Sequence, residues 1–232
     1  MVITQGNSAK DSKYLKRIKD AIEHDETHPR NNGVKMQAHH IISGEGMRLS
    51  GMGKKIQKFG YDINLLPNLS FIPCTLQGAC YLGVQPHRGN HDAKIDQDNY
   101  VDDREPVSYH EMVAIAIQSL DLPMSKDCPG DKLSKQQKII EELDRLSKKI
   151  LNLIQMKPAE APLTKIALSF GKNGSGCSGT DSVVTHRKDQ PCPVDRHHLH
   201  DPDKPDKSQG KGQKTERITY VLSEKFRLRV GR

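Results

Sequence analysis

Asp131 to Met156 constrains this chain more than any other stretch, because its pattern fits only a long amphipathic helix. Leu133, Ile139, Ile140, Leu143, Leu146, Ile150, Leu153 and Ile154 share one broad face, with charges opposite. A helix of that kind gains most of its stability by burying the apolar face, so it needs a second apolar surface in the same chain. Pro158 and Pro162 end it and mark a boundary. Apolar material is scarce: 34% of the 232 residues are hydrophobic, 4% are aromatic, and there is no Trp. Mean hydropathy is −0.71. A core of ordinary density is not expected along the whole length, so the sequence predicts a folded part and a poorly packed part.

Upstream of the long helix, Lys13 to Glu23 carries apolar residues at helical spacing, and Asn31-Asn32-Gly33 marks a turn. Val34 to Ile42 alternates like a strand and closes on His39-His40. Gly44, Gly46, Gly51 and Gly53 suggest a mobile segment, followed by a helical turn over Lys54 to Phe59. Asn68 to Pro73 suits a second strand ended by proline, and Gly83 to Pro86 reads as loop. His87 to Asn99 is expected to begin a helix, and Val107 to Leu120 to form a better one. Beyond Pro158, Gly171 to Gly179 and Asp201 to Gly212 have linker composition, with strands expected over Leu163 to Phe170 and Arg217 to Val230. The expected division is an N-terminal helical segment (1–32), a central domain with supporting helices (33–157), and a basic Gly/Pro-rich extension (158–232).

Charge narrows the partners. The formal net charge is +7, and residues 159–232 hold 14 Lys+Arg against 9 Asp+Glu, so +5 of the excess lies on the extension. A basic balance favours a polyanion such as nucleic acid, though a solubilising tail reads the same way. Five cysteines (74, 80, 128, 177 and 192) without tight pairs argue for reduced thiols over a disulfide framework. Met1 to Lys10 lacks the apolar stretch of a secretory signal, and the longest apolar run, near Met112 to Ile117, is far short of a membrane span. A cytoplasmic protein with no membrane partner is expected, with export by a signal-independent route still open.

The chemistry concentrates in the histidines. His39 and His40 are adjacent at a strand end, where neighbours point to opposite faces, so a bend is expected if both serve one site. His87 and His91 are four apart, which on a helix puts both imidazoles on one face about 5–6 Å apart at Cβ. Such a pair with a third histidine can hold a divalent ion and leave a position open for water or a phosphate oxygen. Each piece alone is weak. In this order, strand-His-His, a strand beginning at Asn68, then a helix with the spaced pair, they outline a ββα unit around a metal. His24, His28 and His110 read as surface or helix residues. His197, His198 and His200, with Cys192 and Cys177, form a looser candidate zinc cluster of no familiar spacing.

Ala38-His39-His40 resembles the signature of the AHH nucleases, a branch of the HNH and endonuclease VII superfamily. The likeness continues through Gly60-Tyr61-Asp62-Ile63-Asn64, Asn68-Leu69-Ser70-Phe71-Ile72-Pro73 and His87-Arg88-Gly89-Asn90-His91, over roughly residues 33 to 120. Against the family pattern, Leu69 stands where Gly is common, and Cys74 to Gln85 looks like a variable loop. The resemblance implies an α+β fold, a small ββα-metal (HNH, or His-Me finger) nuclease domain with surrounding helices. It implies a divalent-metal-dependent endonuclease in which His40 is the general base and Asn68 orients it or braces its loop. His39, His87 and His91 hold one ion (Zn²⁺, Mg²⁺, Mn²⁺ or Ni²⁺), much as three histidines do in the colicin DNases, and Arg88 is a candidate phosphate contact. DNA is favoured over RNA as substrate, and such nucleases often act as bacterial toxins with a cognate immunity protein. The rival readings are a nucleic-acid-binding module without catalysis, and a metal-dependent hydrolase of another substrate or a zinc-stabilised interaction module.

Overall fold

A computed structural model describes residues 5–95, 106–125, 127–203 and 216–232. Its sheet is one antiparallel pair, β1 (Met36–His40) and β2 (Leu69–Pro73), in the register Met36↔Pro73 to His40↔Leu69. All five residues of β2 are buried, whereas Gln37 of β1 is exposed and Ala38 and His40 are half-buried, so β2 is the strand covered on both faces. Helix α1 (Tyr14–Asp20) buries Ile18 in the layer behind the sheet, with Ile22, Val34, Leu69, Phe71 and Ile218.

Helix α2 (Gly44–Leu49) occupies the segment for which the glycines suggest mobility. Ser43 caps it by accepting from the Gly46 amide, and a Cβ on Gly46 would lie 2.4 Å from Val113 Cγ1. Gly46 is there so that α2 can approach α5 (Tyr109–Gln118) closely. Helix α3 (Gly53–Lys58) carries Lys54, Lys55 and Lys58, and Ile56 is its buried anchor. Ser108 and Glu111 form a capping box at the start of α5. The residues expected to be a variable loop contain a helix, α4 (Leu76–Leu82), capped by Thr75, closed by Gly83 at φ 65° and buried at every position. With no polar face there is no periodicity to reveal it.

Helix α6 (Lys132–Met156) is the expected long helix, capped by Asp131. Ile139, Leu143, Leu146, Ile150, Leu151 and Ile154 enter a core shared with Ile41, Ile42, Met47, Ile63, Tyr109 and Val113. Burying six such side chains contributes on the order of 10 kcal/mol before entropy is charged against it. The mixed helix-and-sheet class agrees with the α+β expectation.

Residues 158–203 and 216–232 have little regular structure but are closely packed. Ala161 and Leu163 enter the main core, Ile218 the second, and Phe170 joins Leu76 and Ala79 in a third. Glu216 accepts from Thr75 and from the Lys35 amide, and the Phe71 amide donates to the Arg232 carbonyl. The strand expected over Leu163 to Phe170 is instead a 3₁₀ turn, Ala167–Phe170, and Arg217 to Val230 contributes only a bridge, Ile218 to Leu199. The linker expected over Asp201 to Gly212 lies largely outside the described residues. No described helix is long and apolar enough to cross a membrane.

Candidate active site

β1 stays regular to its last residue, so His39 and His40 face opposite sides without a bend. His39 is 3% exposed and meets His87 and His91, with the nitrogens of the three rings mutually within 4.8 Å. His39 Nδ1 lies 3.1 Å from His87 Nε2, which lies 3.1 Å from His91 Nε2.

The spaced pair is not on the helix that its interval led one to expect. His87 and His91 sit on an irregular loop after α4; Gly89 at φ 75° and His91 at φ 63° are left-handed, which breaks any helical run through them. The rest of the expected helix, residues 96–99, lies outside the described residues. The imidazoles converge because the loop folds back on itself, with the His87 amide donating to the Pro73 carbonyl at the end of β2.

The outer hydrogen bonds decide which nitrogen of each ring is bare. Tyr109 donates to the Ile41 carbonyl, so its oxygen accepts from His39 Nε2–H at 3.0 Å, and Nδ1 keeps the lone pair. The Leu163 carbonyl takes His91 Nδ1–H at 3.1 Å, and Gln37 Oε1 takes His87 Nδ1–H at 2.9 Å. Their Nε2 atoms are therefore bare as well. Three lone pairs aimed at one point repel unless a cation lies among them, and each ring's other N–H is held by an acceptor, as in metal-bound histidines. A tetrahedral ion with nitrogens at 2.0–2.1 Å would separate them by about 3.3 Å, close to what is seen. The residues present fit a divalent metal.

Electrostatics agree. Burial, then the neighbouring imidazoles, pushes His39 well below the ordinary histidine range. Burial and then His91 push His87 down to about 3, and burial lowers His91. All three rings are neutral near pH 7, the form that binds metal.

His40, on the opposite side of the strand, is held by Asn64. The Asn64 amide nitrogen donates to the Ala9 carbonyl and to Asp62, so its oxygen faces the ring and accepts from Nε2–H at 3.0 Å. Nδ1 is thereby the bare nitrogen of His40. Burial lowers His40 below its ordinary range, and the bond to Asn64 works against that shift.

Asn68 touches neither ring. Its oxygen accepts from the Ile42 amide and from Ser147, and its amide group donates to the Ile42 and Ile63 carbonyls. It clamps the turn leaving His40 to helix α6, which is the loop-bracing alternative of the two weighed for it. Arg88 pairs with Asp181 at 2.8 Å, so part of its charge is already engaged by the extension.

Asn64, Tyr109 and Gln37 escaped the sequence reading as site residues, though Asn64 lies in the Gly-Tyr-Asp-Ile-Asn motif. His110 did too: it links Ser43 to the Asn90 carbonyl of the histidine loop. His28 is buried rather than at the surface.

Residues 12–150 match a family model described as AHH, a nuclease family of the HNH/ENDO VII superfamily with conserved AHH. That is more than half of the chain, and the chain belongs to this nuclease family. No curated protein and no solved structure matches it.

Proposed function

We propose that this member of the AHH nucleases is a divalent-metal-dependent endonuclease that acts on DNA, with His39, His87 and His91 as the ion's ligands. The observation that carries the reading is the convergence of three bare imidazole nitrogens within 4.8 Å, each ring's opposite N–H fixed by an outer acceptor. When bound, such an ion supplies positive charge to the scissile phosphate and the leaving 3′ oxygen. His40 removes the proton from the attacking water at Nδ1, because Asn64 holds the proton on Nε2. Asn68 keeps the His40 turn in place, and Arg88 offers a guanidinium to a neighbouring phosphate in competition with Asp181. DNA is preferred to RNA because the superfamily's usual mode sets this site against the minor groove, and the basic extension suits a polyanion.

By analogy with the family, the proposal extends to a cytoplasmically made antibacterial toxin, delivered into target cells by a signal-independent route and neutralised by an immunity protein.

The test is incubation of the full chain with plasmid DNA and with structured RNA, with and without EDTA. Nicking of plasmid that EDTA stops is expected, together with a loss of about 10²–10⁴-fold in His40→Ala that leaves metal content unchanged. Cleavage that survives EDTA, or His40→Ala at wild-type rate, would overturn the metal or the base assignment respectively. RNA cleavage without plasmid nicking would reverse the substrate preference.

A further inference from the structure

A second cluster has no place in the nuclease chemistry. Cys80 on α4 meets Cys177, Cys192 and His198 from the extension, all four buried, with their sulfur and nitrogen atoms within 4.8 Å of one another. Of the three histidines near Cys192 in sequence only His198 joins, and Cys80, nearly a hundred residues away, completes the set.

Cys177 Sγ lies 3.6 Å from Cys192 Sγ, and His198 Nε2 lies 3.5 and 3.3 Å from those two sulfurs. A tetrahedral zinc with Zn–S near 2.3 Å and Zn–N near 2.05 Å requires S–S edges of about 3.8 Å and S–N edges of about 3.6 Å. The observed edges fall near these, and the S–S separation is far beyond the roughly 2.05 Å of a disulfide. All five cysteines are free.

The backbone is shaped around the sulfurs. A Cβ on Gly176 would sit 2.6 Å from Cys80 Sγ and 3.1 Å from Cys192 Cβ, so only glycine lets the chain come this close. The Arg196 amide donates to Cys192 Sγ at 3.3 Å, from a turn in which Asp195 and Arg196 both adopt left-handed φ. Amide donors to a sulfur stabilise it as thiolate, the form that ligates metal.

We propose that Cys80, Cys177, Cys192 and His198 bind one structural Zn²⁺ that fastens the extension to helix α4. Four ligands close the coordination sphere, so the ion binds no substrate and its role is to fold the chain. The need is physical: residues 171–198 contain no described helix or strand, and the apolar cluster around them is small. A metal supplies what a small core cannot. This inference is independent of the nuclease reading.

Cobalt titration of the reduced full-length chain tests it, because only a sulfur-containing site gives a near-ultraviolet thiolate-to-cobalt charge-transfer band. One equivalent of that band is expected, with zinc displacing it. Cys177→Ser and Cys192→Ser should each weaken binding at this site more than 100-fold, beyond what outer-shell changes cause. Cys128→Ser should keep the band, and His198→Cys, which restores a fourth soft ligand, should keep or strengthen it. If the serine variants do not fold, the wild-type band and the His198→Cys and Cys128→Ser spectra decide. Absence of the band in the reduced wild type, its survival in a folded Cys192→Ser, its loss in His198→Cys, or a Cys177–Cys192 disulfide in the purified protein would overturn the assignment.

Discussion

The two histidine-bearing clusters are built by opposite means. The nuclease cluster takes His39 from a strand and His87 and His91 from a loop pinned to the end of the other strand. It presents three nitrogens, and its geometry is enforced from outside by Tyr109, Gln37 and Leu163. The cysteine cluster takes one residue from a helix and three from chain without regular structure, and presents four ligand atoms. Where an outer acceptor orients every ring, three ligands are enough and, on the proposed reading, one coordination position stays open for chemistry. Four converging ligands would instead close the sphere and supply the rigidity themselves.

The strongest way to break this contrast is to remove the extension. A chain ending at Met156 loses the carbonyls of Ala161 and Leu163, the Glu216 bonds to Thr75 and Lys35, and three of the four cysteine-cluster ligands. It also leaves the buried Gln85 oxygen without the Leu163 amide it accepts from, at a cost of about 1–3 kcal/mol, although the Gln85 amide nitrogen keeps its bond to the Ile154 carbonyl. The expected outcome is insoluble or unfolded protein without nuclease activity, followed by gel filtration and circular dichroism. A soluble, active truncated chain would mean that the closed cluster serves only the extension.

A smaller effect, on the order of 10–100-fold in cleavage rate, is expected from changing Asn64, which acts through His40. Its hydrogen bond raises the His40 pKa, so Asn64→Ala should move the acidic limb of the pH–rate profile downward. Asn64→Asp, which brings a negative charge to the same ring, should move it upward. A rate loss with an unmoved limb in both variants would make Asn64 a purely structural residue.

A last effect, on stability and not on rate, concerns a buried histidine outside both clusters. Burial, then the charge of Arg30, lowers His28 from 6.5 to about 4, and its Nδ1 accepts from the Arg30 amide. Between those values the unfolded chain binds the proton and the folded chain does not, so stability rises with pH through this window. The contribution is fully present above about pH 6.5 and is lost as the pH falls toward 4. Urea unfolding should show wild type losing about 2–3 kcal/mol more than His28→Asn over that range, since Asn keeps the cap but does not titrate. Equal losses would place the acid sensitivity elsewhere, in the nuclease histidines first.

What the sequence revealed follows from periodicity. Helices α5 and α6 were legible from a polar and an apolar face and β1 from the alternation of Val34, Met36 and Ala38 with polar residues, whereas β2, buried on both faces, was legible only as a short run ended by Pro73. Helix α4 was not, since Leu76 to Leu82 is buried all round and reads as featureless apolar chain. The histidine set was legible as a group, from Ala38-His39-His40 and the spaced pair, but its support was misjudged. An interval of four is consistent with a helix and with a tight left-handed loop, and only the backbone at Gly89 and His91 distinguishes them. Cys80 could not be assigned to its cluster because no spacing rule links it to Cys177.

The bond from His91 to the Leu163 carbonyl sets an order of events. Leu163 lies past Pro158 and Pro162, so the acceptor that fixes the His91 tautomer arrives only when the chain beyond the long helix has docked. Until then His91 is free to carry its proton on either nitrogen, and the trio lacks one aligned lone pair. On the proposed metal reading, competence would therefore come last, as a property of the finished molecule.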